Sequence, residues 1–402
     1  MNHPPRQSGD RLPPRLFVVN QVVGPLMWQL LEAMEHRGVS CEALTGWVDC
    51  PPDRAPSFRV RRGAKLRKQP AFKRIWSWGL FTLQALWALV RRRRAPALVV
   101  TNPPLTMLTL PLLRRLTGLR YVLLFYDIYP DAMERMGMLK AGSCASRCWR
   151  RLSRRAMLRS AGVITIGERM AETLRGHLRP SDDVPIEVIP NWADTSFIRP
   201  MPRDENPFAR RHGLVGKFVV LYSGAFGATH DVDSIVAAAR MLQDLPEVHF
   251  VLIGGGTRRE QVEKRVREAA LANLTLLDFQ PLETLPYSLA SADCQIVCLD
   301  EGYEGISVPS KTYNALAAGS AVLAVSPPDT ELTELVARHG VGRHIPPRSP
   351  EALADAVRFY YENPAALVEA RAAARGLAEH RYSLDAGAEH YARYLSRTLG
   401  WR

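Results

Sequence analysis

Apolar runs of strand length alternate with segments of helical period along almost the whole chain, and such a chain has to wrap βα units around parallel sheets. In the first half the runs are RLFVVN, ALVV, RYVLLF, GVITI and IEVI; in the second they are KFVVLYS, VHFVLIG, LTLLDF, CQIVCL and AVLAV. Helices are predicted over residues 24–36, 72–90, 104–116 and 146–160, and a helix-like segment follows each strand of the second half. Between the two sets lies PNWADTSFIRPMPRDENPFARR, whose prolines at 190, 200, 202 and 207 interrupt regular structure. The organisation expected is a flexible tail at 1–14, a first α/β unit at 15–190, a linker at 191–211 and a second α/β unit at 212–380. The last helical segment, within 381–402, closes the second unit or crosses back to the first. At 402 residues, 47% of them hydrophobic, the chain is too long for one ordinary core and long enough for two. Ligands of open parallel sheets bind beyond the carboxyl ends of the strands, so two such units facing each other make a cleft.

The formal net charge of +13 calls for an anionic partner: nucleic acid, an acidic membrane or a phosphorylated substrate. Much of the charge lies in RVRRGAKLRKQPAFKRIWSWGLFTLQALWALVRRRR, residues 59–94. Its uncharged stretch, 75–90, is short for a membrane span, which needs about 20 apolar residues. Trp76, Trp78 and Trp87 inside it, with Arg91, Arg92, Arg93 and Arg94 at its end, predict a helix lying in the interface of an anionic membrane. A core helix with solvated ends is the plainer alternative. Nucleic acid is not expected, because the run carries no recognised binding motif. MNHPPRQSGDRLPPR, residues 1–15, is polar and is not read as a signal peptide. Neither close cysteine pair has the two-residue gap of a zinc or redox motif, and Cys294 and Cys298 read as buried thiols suited to the cytoplasm.

Three loops of the second half follow strands. Tyr222 to Asp233, YSGAFGATHDVD, combines Gly224 and Gly227 with the donor His230, which suits a phosphate cradle as well as it suits an ordinary tight turn. Asp231 and Asp233 stand where a helix begins and are read as capping residues before metal ligands, and no metal is expected. Gly254, Gly255 and Gly256 lack the spacing of a dinucleotide fingerprint. The third loop leads into SVPSKTYNALAAG, residues 307–319, where Ser310, Lys311 and Thr312 open a helix. Amides at a helix start, two hydroxyls and an ammonium can hold a phosphate; a solvated lysine at a proline-started helix is the alternative.

The chain resembles the retaining glycosyltransferases of the GT-B fold, specifically glycosyltransferase family 4. The resemblance is carried by YDIYPD at 126–131, VIPNWADTSFI at 188–198, YSGAFGATHD at 222–231, ADCQIVCL at 292–299 and VPSKTYNALAAGSAVLA at 308–324. It covers roughly Arg15 to Leu399, and the branch it resembles most adds sugars to lipid-linked precursors of bacterial surface polysaccharides. The fold implied is α/β, two Rossmann-like parallel-sheet domains facing a central cleft. The activity implied is retaining transfer of a hexose or amino sugar from a UDP-sugar to a polyprenyl-diphosphate-linked acceptor, at the cytoplasmic face of the membrane and without a cofactor. By the same resemblance the donor diphosphate sits at Ser310, Lys311 and Thr312 and near Gly224 and Gly227, the nucleobase near Phe279 and Gln280, and the sugar hydroxyls near Glu304 and Gly305. Asp127 matches a first-domain position beside the reacting sugar that is often histidine, and Asp131 follows four residues later. The two carboxylates are candidates to orient the acceptor hydroxyl or take its proton.

The sequence departs from the family's pattern in two places. The paired glutamates of E-x7-E are replaced by Ile306 and Asn314, although Asn314 can still hydrogen-bond a ribose, and a common arginine is Ala228. These departures keep two other readings in view: a membrane-associated partner protein of the same fold that has lost catalysis, and a nucleotide-sugar epimerase.

Overall fold

The computed structural model describes residues 15–49, 54–67, 71–227 and 231–401. The tail at 1–14, Ala228 and the candidate donor His230 lie outside the described residues. In the first half the strands are β1 (Arg15–Val19), β2 (Val22–Val23), β3 (Ser40–Thr45), β4 (Trp47–Val48), β5 (Arg59–Arg62), β6 (Ala97–Val100), β7 (Tyr121–Phe125), β8 (Gly162–Thr165) and β9 (Ile186–Val188). Seven of them form one parallel sheet in the order β5-β3-β1-β6-β7-β8-β9, and β2 pairs with β4 apart from it. The second half contributes β10 (Phe218–Ser223), β11 (Val248–Ile253), β12 (Leu274–Leu277), β13 (Cys294–Cys298), β14 (Ala321–Val325) and β15 (Gly342–Ile345). These form a parallel sheet in the order β12-β11-β10-β13-β14-β15.

Helices cover both faces of each sheet, so central strands such as YVLLF and AVLAV are buried throughout and read as continuous apolar runs. The sequence reading missed β3, β5 and β15 for the opposite reason. Arg59–Arg62 and Gly342–Ile345 are edge strands, and RVRR and GRHI carry the charge and small residues that blunt an edge. Ser40–Thr45 contains Glu42, whose carboxylate accepts from Arg92 Nε at 2.9 Å.

The chain crosses between the halves twice. Ala193 N–H donates to the Tyr382 carbonyl at 2.9 Å and Leu384 N–H donates back to the Ala193 carbonyl at 3.1 Å, so the two crossings are stitched side by side. Beyond them the helix Leu384–Leu399 packs Tyr391, Leu395 and Leu399 into the core of the first sheet, with Trp192 edge-on to Tyr391 at 5.9 Å.

The helix Ala71–Arg91 is apolar on more than one face. Trp78, Phe81, Ala85, Ala88 and Leu89, at helical spacing, pack inward, while Phe72, Ile75, Trp76, Leu83 and Trp87 are exposed. This divides the expected membrane residues. Trp78 is only 7% exposed, with its ring edge-on to Tyr129 at 6.5 Å, whereas Trp76 is 73% exposed. Arg92 is held by Glu42, while Arg91, Arg93 and Arg94 stay exposed. Trp78 and Arg92 are therefore corrected from membrane-facing to structural. Periodicity could not distinguish them, because both faces of this helix are apolar. No helix among the described residues is long and apolar enough to cross a membrane.

Candidate active site at the domain cleft

Strand order changes direction between β1 and β6 in the first sheet and between β10 and β13 in the second. Loops leaving two such strands run apart and open a crevice at their carboxyl ends, where α/β proteins bind ligands. Here the two crevices face each other. A cavity of about 310 Å³ between the halves is lined by Asn20 after β1, Asn102 after β6, Tyr126 and Asp127 after β7, Asn191 at the crossing, and Val308 and Ser310 from the loop after β13. Asp127 and Ser310, 183 positions apart in sequence, thus share one chamber.

Asp127 is largely withdrawn from solvent, and burial raises its carboxyl pKa above the ordinary value. A raised carboxyl pKa makes the ionised form a stronger base than an exposed aspartate's. Asp131 has a different environment. It starts the short helix Asp131–Arg135 and its carboxylate is bound by Arg150 at 2.9 Å and His177 at 3.3 Å. Burial would raise its pKa, but the hydrogen bonds from His177 and Arg150 outweigh this and hold it at about 2. The sequence reading paired the two carboxylates; the structure separates them, because Asp131 is occupied by its cations and does not line the chamber.

On the second half, the start of helix Lys311–Ala317 meets the glycine loop after β10. Lys311 Nζ donates to the Tyr222 hydroxyl at 3.1 Å and lies 4.5 Å from the centre of that ring. Gly224 has a φ of +153°, and a Cβ there would overlap the Lys311 ammonium. The lysine end therefore lies directly against the glycine loop. Burial lowers its pKa from 10.5 to about 8, the behaviour of an ammonium held away from water without a full counter-ion.

Two glycine loops stack in this half. A Cβ at Gly254 would overlap the Gly224 carbonyl, and Phe226 N–H donates to the Gly255 carbonyl at 2.7 Å. Gly255 in turn lies beneath the Phe279 ring, 3.2 Å from where its Cβ would be. Gly254 and Gly256 thus permit backbone approach between the loops, and Gly255 makes room for the Phe279 ring. The stack connects Lys311, through Gly224 and Gly255, to Phe279, an aromatic ring that is 60% exposed. Gln280 beside it donates its side-chain amide to the Asp278 carbonyl at 2.9 Å.

Other candidates are placed as follows. Thr312 is buried with its hydroxyl donating to the Pro309 carbonyl at 2.8 Å, and it lines a second interdomain cavity; it is corrected from a phosphate contact to a residue that closes the helix turn. Gly227 continues the glycine loop and Asn314 is half-buried on the helix after Lys311. Glu304 and Gly305 lie in the loop before it, with Gly305, at a φ of +63°, packed against Arg169 and Thr173 of the first half. Asp231 caps the helix Val232–Met241 by accepting from Ser234 N–H at 3.2 Å, while Asp233 pairs with Arg258 and Arg265.

The sequence reading missed Asn20, Asn102, Tyr126 and Asn191. Asn20 and Asn102 stand immediately past RLFVV and close to the end of ALVV, so the strand-end rule used for the second half would have found them. The Tyr126 hydroxyl and Asn191 Oδ1 are buried without a hydrogen-bond partner among the described residues, a condition that a bound polyhydroxyl ligand would relieve. Missed too was Glu331, whose carboxylate accepts from Met170 N–H at 3.2 Å across the halves and whose pKa is raised by burial.

Comparison with known proteins agrees with this architecture. Residues 23–192 match the glycosyl transferase 4-like domain and residues 204–377 match the glycosyl transferases group 1. The chain is similar to the probable glycosyltransferase WbjE of Pseudomonas aeruginosa, 32% identical over 85% of this chain and 88% of that protein. It is also similar to the putative colanic acid biosynthesis glycosyl transferase WcaI of Escherichia coli (strain K12), 28% identical over 72% of this chain and 73% of that one. Among solved structures, sucrose-phosphate synthase from Thermosynechococcus elongatus superposes with a TM-score of 0.74 at 17% identity, covering 97% of this chain and all of that one. Anabaena HepE in complex with UDP superposes with a TM-score of 0.71 at 16% identity, covering 96% and 100%. These two likenesses show the shared GT-B fold. With the matched halves placed either side of one cleft and a relative alike over most of both chains, this protein belongs to the glycosyltransferases built from a GT4-like domain and a group 1 domain.

Proposed function

We propose that the chain transfers a hexose or amino sugar from a UDP-sugar to a lipid-linked saccharide, with retention, in the building of a bacterial surface polysaccharide at the cytoplasmic face of the membrane. The observation that carries this reading is the contact with the Gly224 loop made by Lys311, next in sequence to Ser310, which shares one chamber with Asp127. Lys311 neutralises the donor diphosphate and the charge that grows on it as the sugar bond breaks, and the loop amides complete the cradle. Phe279 offers a face for the uracil, and Glu304 and Gly305 flank the sugar. Asp127 orients the acceptor hydroxyl and takes its proton, while Asn20, Asn102, Tyr126 and Asn191 supply the polar lining that sugar hydroxyls need. Support for the donor comes from HepE, solved with UDP, and support for the pathway from WcaI, a putative colanic acid biosynthesis glycosyl transferase. Support for the membrane face comes from exposed Trp76, Trp87, Arg91, Arg93 and Arg94.

A panel of nucleotide sugars, read first by thermal shift and then by transfer to a polyprenyl-diphosphate-linked sugar, tests the proposal. A UDP-sugar should raise the melting temperature and be consumed only when acceptor is present. Consumption without acceptor, or no stabilisation by any UDP-sugar, would overturn it.

A further inference from the structure

Between the helix Ala71–Arg91 and the helix Pro104–Thr117 runs an open apolar groove of about 1070 Å³. Its walls include Ile75, Trp76, Leu83 and Leu105, and its floor includes Gly79. An apolar groove flanked by exposed Phe72, Ile75, Trp76 and Leu83 is the kind of surface that marks an interaction site. The direction of the groove indicates which one. The helix Pro104–Thr117 starts just after Asn102, a residue of the cleft. The early turns of Ala71–Arg91 lie beside the cleft as well, because the Gln21 amide, next to the cleft residue Asn20, donates to the Ser77 carbonyl at 3.1 Å. Both helices therefore begin at the cleft and the groove leads away from it.

Charge follows the same direction. Arg67 and Lys73 line the groove's cleft-ward end and are exposed. From residue 54 to 126 the sequence holds 16 lysines and arginines and not one aspartate or glutamate. Of the residues that line the groove only Arg67 and Lys73 are charged, so its wall is cationic toward the cleft and apolar beyond it, while Arg91 to Arg94 and Arg114 and Arg115 flank its far end without lining it. An anionic headgroup on a single extended apolar chain matches this polarity along the groove's length.

We propose that this groove seats the first isoprenoid units of the acceptor's lipid, with its diphosphate against Arg67 and Lys73, so that the sugar beyond the diphosphate enters the chamber at Asp127. The inference rests on the lipid-linked acceptor of the reading above and adds where that lipid lies. One chain is drawn from the bilayer into the protein, while the exposed residues around the groove rest on the membrane.

Farnesyl diphosphate, a short soluble isoprenoid diphosphate, is the probe, titrated in vesicle-free buffer beside inorganic diphosphate and UDP. The parent should bind farnesyl diphosphate at least tenfold more tightly than inorganic diphosphate. Gly79→Leu fills the groove where a Cβ meets only open space and improves the helix, so it should fold and weaken the probe tenfold or more. Leu83→Glu should do the same, and Arg67→Ala with Lys73→Ala should weaken farnesyl diphosphate with no change for UDP. Equal binding of farnesyl and inorganic diphosphate by the parent would overturn the proposal, as would full probe affinity in Gly79→Leu and Leu83→Glu. If those variants lose only their binding to phosphatidylglycerol vesicles, the face is a bilayer contact and the groove proposal is wrong. UDP affinity in the same titrations reports on the donor reading alone, so failure there is separable from failure here.

Discussion

Lys311 and Gly224 are a coupled pair, because the glycine's missing side chain is the space the ammonium occupies. Charge-assisted hydrogen bonds contribute roughly 1.5–3 kcal/mol, so Lys311→Ala should weaken UDP binding by about 10–150-fold in calorimetric titration. Gly224→Ala should weaken it comparably, by displacing the lysine without removing it. The ammonium titrates at about 8 when the site is empty, so UDP affinity should be flat below that pH and fall above it in the parent, and show no such fall in Lys311→Ala. The stability linkage has the opposite sign. Between about 8 and 10.5 the unfolded lysine holds a proton that the folded one has lost, so the ligand-free protein gains stability as pH rises through that window. Below 8 both states carry the proton and the gain is absent. Asp127→Asn should reduce turnover at least a hundredfold while UDP affinity stays within a factor of two, because a group that handles the acceptor proton acts in the transition state. At this scale the sequence located the residues that end strands or open helices. It could not reveal that Asp131 is committed to Arg150 and His177, since cations 19 and 46 positions away leave no local pattern.

At the scale of elements, the helix Ala71–Arg91 carries two tryptophans two positions apart with different duties. Trp78→Ala should cost about 3–5 kcal/mol in urea unfolding, as expected when a buried aromatic is removed from a core. Trp76→Ala should leave the unfolding free energy within about 0.5 kcal/mol and instead reduce sedimentation with anionic vesicles. Replacing Arg93 and Arg94 by glutamate should reduce the same vesicle binding, most strongly at low salt. The helix itself was legible from its uncharged length, and its inward face was not, since apolar residues occupy both sides and periodicity loses contrast. The buried central strands were legible for the same chemical reason that edge strands β5 and β15 were hidden: burial on both faces demands apolar side chains, while an edge is protected by charge.

At the scale of the molecule, the chain passes between the halves only at two crossings stitched side by side at Ala193, the narrow connection expected of a hinge that closes on a bound donor. Away from the hinge the halves meet at a latch. The Glu331 carboxylate takes the Met170 N–H at the start of helix Glu168–Gly176, and Arg169 reaches Glu334 at 2.6 Å. Nothing local in the sequence announced this latch, whose partners lie more than 160 positions apart. Gly167 is what lets it close, since a Cβ there would overlap the Glu331 carboxylate and come within 2.9 Å of a Val308 methyl carbon. Its φ of −154° is open to any residue, so Gly167→Ala should fold and act as a wedge between the halves. Donor binding, proposed above for the second half, should be preserved, with UDP affinity within a factor of three of the parent. In the proposed mechanism Asp127 must reach the acceptor across the chamber, and misplacement of about 1 Å can cost on the order of a hundredfold. Gly167→Ala should therefore lose tenfold to a hundredfold in turnover, and small-angle scattering of its UDP complex should give a larger radius of gyration than the parent's. An unchanged turnover would mean that the latch is not part of the closed, reacting state.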